Sequence, residues 1–136
     1  MTAPNFRDHR IYMVPLLRVL ARRGPSSPAS IYDDVADLAG IPNEQRVVGN
    51  PKDRGNPVYR NRIQFARQSL IDAGLMFGSS DSEWQRGLWQ LNRSGEELAR
   101  TGNLTQMAEK LRALAAEGAR NRAAASSPLT NRPQAD

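Results

Sequence analysis

Along most of the chain apolar residues recur at every third or fourth position, and this spacing sets the expected elements. In "IYMVPLLRVLARRG", Ile11, Val14, Leu17 and Leu20 share one side of a helix, Pro15 suits a first turn and Gly24 follows the last. In "PSSPASIYDDVADLAG", Ser27 suits a cap, Pro28 an opening position, Ile31, Val35 and Leu38 a stripe, and Gly40 a stop. Three prolines and two glycines between Ile41 and Pro57 then predict a loop after a helical turn at 43–47. Helical spacing returns from about Val58 to Ala73, with Gly74 as the stop.

Beyond Gly74 the period changes. "LMFG" and "LWQLN" are short apolar runs with aromatic residues, separated by "SSDSEWQR", and predict two strands joined by a polar turn. Ser94 and Glu97 have capping-box spacing for a short helix over 95–100. Leu104, Met107, Leu111 and Leu114 predict a last helix over about 104–117, and the Ala/Ser/Pro/Asn-rich residues 119–136 are expected to be disordered. No internal repeat is present.

The resulting order is helix, helix, loop, helix, strand, polar turn, strand. The expected fold is mainly α with a small two-stranded β-hairpin: a winged helix, or winged helix-turn-helix, followed by a C-terminal helix. With 136 residues there is room for one core plus tails. The expected boundaries are an N-terminal arm at 1–10, the winged helix at 11–100, the C-terminal helix at 103–118 and the tail at 119–136.

Charge gives this order a chemical meaning. From Gln45 to Leu70 stand Arg46, Lys52, Arg54, Arg60, Arg62 and Arg67 against Asp53 alone, which accounts for the whole formal net charge of +5. The segments before and after it balance, so polyanions are drawn to one face. In the helix 58–73, Tyr59, Ile63, Ala66 and Leu70 form a narrow apolar sector that Phe65, Arg62 and Ser69 extend. Arg60, Asn61, Gln64, Arg67 and Gln68 cover the other side. Arg suits guanine O6/N7 or phosphate, and Asn and Gln suit adenine N6/N7. The competing reading, a merely solvated face, normally interleaves both signs of charge, which this segment does not.

These positions predict double-stranded DNA binding. Base-edge contacts fall to Arg60, Asn61, Gln64, Arg67 and Gln68, and phosphate contacts to Arg46, Lys52, Arg54 and Arg86. Arg62 is expected to brace the helix or reach a phosphate. In the turn between the strands Ser79 and Ser80 suit phosphate, whereas Asp81 and Glu83 oppose it. Trp84 either stacks on a sugar or base or folds back over the hairpin, and Trp89 is expected to lie partly in the core. A modified base would be read through Trp84 or Tyr59.

Other chemistry finds little support. Without cysteine there is no disulfide framework or thiolate metal site. His9 has no second histidine, and Asp33, Asp34 and Asp37 fit a solvated helix face better than a metal cluster. "GNPKDRGNP" lacks the Lys-Ser/Thr of a phosphate-binding loop. No catalytic residue, metal, cofactor or small-molecule substrate is predicted, and the chain is not expected to be an enzyme. No apolar run approaches a membrane span and no secretory signal opens the chain, so it reads as soluble and cytoplasmic.

The stretches "YMVPLLRVLARRG", "IYDDVADLAG" with "IPNEQR", "YRNRIQFARQSLIDAGL" and "RGLWQLNRSGEELA" resemble the N-terminal domain of Mrr-type restriction endonucleases over about Tyr12 to Ala99. The most specific features are N-R-x-x-[WF]-A ending in A-G-L, then R-G-x-W and G-x-E-L. This resemblance implies a winged helix that binds DNA, with 58–73 as recognition helix and 78–87 as wing. In such proteins a PD-(D/E)xK nuclease that cuts modified DNA is usually joined to it. The 37 residues after Ala99 hold no Asp followed by a Glu/Asp-x-Lys triad, since Glu109 and Lys110 are adjacent and no later lysine exists.

The implied partner is therefore duplex DNA, unmodified or methylated, read either by a protein without its own nuclease or by the reader part of a longer enzyme. The alternatives are a stand-alone dimeric transcriptional regulator and a protein–protein adaptor. Both would use the three-four seam of Leu104, Met107, Leu111 and Leu114, which docks either on its own domain or on a second copy to form a homodimer.

Overall fold

The computed structural model describes residues 5–78, 81 and 85–126. Ser79, Ser80 and Trp84 of the expected wing, and residues 127–136 of the expected tail, lie outside the described residues. The described chain is mainly helical. A short 3-10 turn, His9–Tyr12, leads into α1 (Met13–Arg23), α2 (Pro28–Ala39), α3 (Asn43–Arg46), α4 (Val58–Asp72), α5 (Arg93–Arg100) and α6 (Leu104–Ser126).

Helix α1 is the central element and packs on α2, α4, α5 and α6. With neighbours on several sides it buries more than one stripe: Met13, Leu16, Leu17, Val19 and Leu20 all lie in the core, whereas Ile11 and Val14 of the expected stripe are only partly covered. On α2 the buried line is Ile31, Tyr32, Val35 and Ala36, and the expected Leu38 is exposed. Ser27 occupies the N-cap of α2, but its side chain makes no capping bond; its carbonyl accepts from the Ser30 amide at 3.1 Å and the Ser30 hydroxyl at 2.7 Å. Tyr59, Ile63, Ala66 and Leu70 of α4 are buried as their spacing requires. Each large apolar side chain fully removed from water contributes about 1.5–3 kcal/mol.

The two expected strands are reduced to isolated bridge pairs among the described residues. Met76 faces Leu91, flanked by Phe77 N–H to Gln90 O at 3.1 Å and Asn92 N–H to Leu75 O at 3.1 Å. Ser26 pairs with Trp89 on the other side, exchanging bonds of 3.1 and 2.8 Å. The pairing is short because α5 begins immediately after Asn92. That residue, rather than Ser94, caps the helix, its carboxamide oxygen accepting from the Gly95 amide at 3.0 Å. A Cβ on Gly95 would lie 2.3 Å from the Leu75 carbonyl oxygen, so only glycine lets α5 pack this closely on the paired segment.

Helix α6 does not stop near Glu117 but continues to Ser126, so residues 119–126, expected to be disordered, are helical. Two physical features account for it. The added turns are rich in alanine, the strongest helix former, and the helix is anchored where it crosses the end of α4. There a Cβ on Gly118 would meet the Asp72 carbonyl oxygen at 2.2 Å, and Arg122 pairs with the Asp72 carboxylate at 2.9 Å. Gly118 is therefore a crossing point within the helix. Met107 and Leu111 are buried in the chain's own core, while Leu104 is 51% exposed. The seam thus docks on its own domain.

Candidate nucleic-acid interface

Helix α4 divides its side chains between core and surface. About 100° per residue places Asn61, Gln64, Phe65 and Gln68 opposite the buried Tyr59–Ile63–Ala66–Leu70 line. Gln64 and Phe65 are exposed, and Asn61 and Gln68 are half-buried. Phe65, assigned by its spacing to the packed side, is 52% exposed. The segment before the 3-10 turn bonds to Arg62, and the turn sets the His9 ring 6.4 Å from Phe65, which leaves the phenyl ring half covered.

The outward amides are held from within the chain. Gln64 Nε2 donates to the Tyr32 hydroxyl at 2.8 Å and Gln64 Oε1 accepts from Asn56 Nδ2 at 3.2 Å, tying α2, the loop before α4 and α4 together. Gln68 Nε2 donates to the Asp72 carboxylate at 3.0 Å, and Asn61 Oδ1 accepts from Arg62. Such fixed amides present donors and acceptors with little rotamer entropy left to lose on binding.

Several predicted contact residues are engaged by partners within the chain. Arg46 has a side chain only 15% exposed, donates to the Ile41 carbonyl at 2.9 Å, and pairs with Asp37 at 2.6 Å and Asp33 at 3.4 Å. Its charge is neutralised within the chain. Tyr59 is 3% exposed, so its ring cannot reach a base; its hydroxyl donates to Asp33 at 3.3 Å and accepts from Arg60 Nε at 3.1 Å. That bond from Arg60 holds its guanidinium above the usual range, and the group lies 5.2 Å from the Tyr32 ring. Arg67 lies over Trp89 at 5.5 Å, its Nε buried with no hydrogen-bond partner among the described residues, and burial pushes its pKa down. Arg60 and Arg67 therefore cap an aromatic cluster of Tyr32, Tyr59 and Trp89 at the edge of the face. Trp89 is buried, as its position in the pattern predicts.

Lys52 and Arg54, in the loop before α4, are exposed and make no ion pair among the described residues, as is Arg86 near the paired segments. The loop forms an open cup of about 520 Å³ lined by Gly49, Asn50, Arg54 and Asn56.

The sequence pattern points to Arg62 as a brace or phosphate contact but not to Arg7, which joins it in a second basic flank. Arg62 Nε donates to the Arg7 carbonyl at 2.7 Å, and the Tyr12 hydroxyl, pushed up to about 12 by burial, donates to the Phe6 carbonyl at 2.8 Å. These bonds dock the segment before the 3-10 turn beside α4, leaving Arg7 exposed. Residues 1–44 are neutral as a whole, so no charge signal could have revealed it. The loop that carries Lys52 and Arg54 thus meets the outward row of α4 through Asn56 and Gln64, while Arg7 is held at Arg62.

Among the described residues no group of acidic or histidine side chains could hold a metal ion, and no helix is long and apolar enough to cross a membrane. Residues 10–101 match the family model described as Mrr N-terminal domain. No curated protein and no solved structure matches the chain.

Proposed function

The chain belongs to the Mrr N-terminal domain family, and from that premise we propose that it binds double-stranded DNA as a winged helix, serving as the reader of a restriction system and not as its nuclease. Helix α4 would enter the major groove and the segment 78–87 would act as the wing at the backbone or minor groove. The observation that carries this reading is the row Asn61, Gln64 and Gln68 on the outward side of α4, joined at Gln64 to the basic loop of Lys52 and Arg54 and neighboured at Arg62 by Arg7. A groove is lined by phosphates on both sides and base edges in the middle, and this surface has the complementary order. The order of α1, α2, α3, α4 and the paired segments at Ser26, 75–77 and 89–92 supports the winged-helix topology.

Phosphate contacts fall to Lys52, Arg54, Arg86, Arg7 and Arg62. Base contacts fall to Asn61, Gln64 and Gln68, with Arg60 and Arg67 at the edge. Arg46 and Tyr59 hold the helix and do not read. The adaptor and seam-mediated dimer readings find less support, because Met107 and Leu111 are already covered by the chain itself.

Fluorescence anisotropy on random duplex, on duplexes carrying methylated adenine or methylated cytosine, and on single strand, each at two salt concentrations, tests this function. Salt-sensitive binding preferring duplex is expected, and a gain on a methylated duplex would identify a modified-base reader. Absence of binding to every probe at low salt would overturn the proposal.

A further inference from the structure

Phe65 takes no part in the contacts assigned above, yet it occupies the centre of the outward row of α4. It lies four residues after Asn61, three before Gln68 and next to Gln64, and is 52% exposed. A single exposed apolar residue is ordinary on a protein surface. Its surroundings distinguish this one, because the ring is fixed without being covered. The His9 ring stands 6.4 Å away at 58°, the Arg62 guanidinium lies 5.8 Å from the ring centre, and Arg62 is itself anchored on the Arg7 carbonyl.

We infer that Phe65 reads the C5-methyl group of a pyrimidine, and that this apolar contact, flanked by amide contacts, makes the chain selective for thymine in A·T-containing sites. The inference rests on the proposal that α4 faces DNA. Base edges in the major groove carry hydrogen-bond donors and acceptors, and the apolar group they offer is the thymine methyl. Carboxamides recognise adenine N6/N7, whose partner across the pair is thymine. A row of amide, phenyl and amide is therefore complementary to adjacent A·T pairs, with the amides on adenine edges and the phenyl on a neighbouring methyl. A 5-methylated cytosine would offer the same methyl at the same place.

Wild type and Phe65→Ala should each be used to select binders from a random duplex pool. Both proteins are then titrated on the wild-type consensus with single thymines replaced by uracil, which removes only the methyl, or by 5-methylcytosine opposite guanine. At one position the uracil duplex is expected to bind wild type about fourfold more weakly, the factor that burial of one methyl-sized group gives. Phe65→Ala should not distinguish the two, and Phe65→Leu should regain part of the discrimination. Retained affinity on 5-methylcytosine would assign the contact to the methyl alone, whereas a loss there with the uracil penalty intact would assign it to thymine as a whole.

Equal effects of uracil on wild type and Phe65→Ala, or none on either, would overturn the inference while leaving DNA binding intact. Failure of both proteins to enrich any duplex would overturn the DNA-binding proposal and this inference with it. Unchanged thermal melting of Phe65→Ala, expected for a half-exposed side chain, separates a reading defect from a folding defect.

Discussion

The hydroxyl of Tyr32 on α2 accepts a 2.8 Å hydrogen bond from the side-chain amide of Gln64 on α4. One helix thereby sets the direction in which the other presents its outward carboxamide. Replacing Tyr32 by Phe keeps the ring that packs edge-on against Tyr59 and Trp89 and removes only the acceptor. Stability should fall by about 0.5–1.5 kcal/mol, the net worth of one hydrogen bond. Sequence selection from a random duplex pool should show a broader preference at one base pair, with the salt dependence unchanged. A sharp, unaltered preference would mean that Gln64 needs no positioning.

Arg46 and Lys52 stand close in sequence and should behave oppositely. Arg46→Ala breaks the pairs with Asp37 and Asp33 and the bond to the Ile41 carbonyl, and should cost about 1–2 kcal/mol in urea unfolding. Its plot of log affinity against log salt should keep the wild-type slope. Lys52→Ala should leave unfolding unchanged and flatten that slope by about one unit.

The crossing of α6 over α4 depends on Gly118. An alanine Cβ there would meet the Asp72 carbonyl oxygen at 2.2 Å, and neither backbone can yield without moving a helix. Gly118→Ala should therefore destabilise by about 1–3 kcal/mol or more, read as a lower urea midpoint. Leu104→Ala, at an exposed position of the same helix, should have far less effect.

His9 makes stability depend on pH. Burial lowers its pKa below the ordinary 6.5 in spite of the neighbouring Asp8 carboxylate. The unfolded chain therefore binds the proton more readily than the folded one, and stability rises with pH where they differ. The full contribution is present above about 6.5 and is lost as pH falls through the lower folded value. Denaturant unfolding between pH 8 and pH 5 (about the histidine range) should show this decline, and His9→Gln should flatten it.

The helices were legible in the sequence because the spacing of Tyr59, Ile63, Ala66 and Leu70, or of Met107 and Leu111, reports a single buried side. Errors arose where burial depends on which neighbour arrives. Leu38 and Phe65 look like core residues in the pattern but are exposed, because α2 meets its neighbours along Ile31, Tyr32, Val35 and Ala36 and Phe65 is flanked by the His9 ring and the Arg62 guanidinium without being enclosed. The strands are less legible, since ladder length depends on where α5 begins, and a side chain two residues from the expected cap decides that.

By itself the sequence determined the order of the helices, the concentration of positive charge around α4 and the family, because periodicity, composition and motif spacing are properties of the chain. Tertiary structure alone decided which arginines remain available. Arg46, Arg60 and Arg67 are engaged by Asp33, Asp37, Tyr59 and Trp89, while Arg7, from a segment with no net charge, is brought beside Arg62. The physical reason is range: hydrophobic spacing acts between residues three or four apart, whereas a charge is neutralised or exposed by partners that only the folded chain brings within a few ångströms.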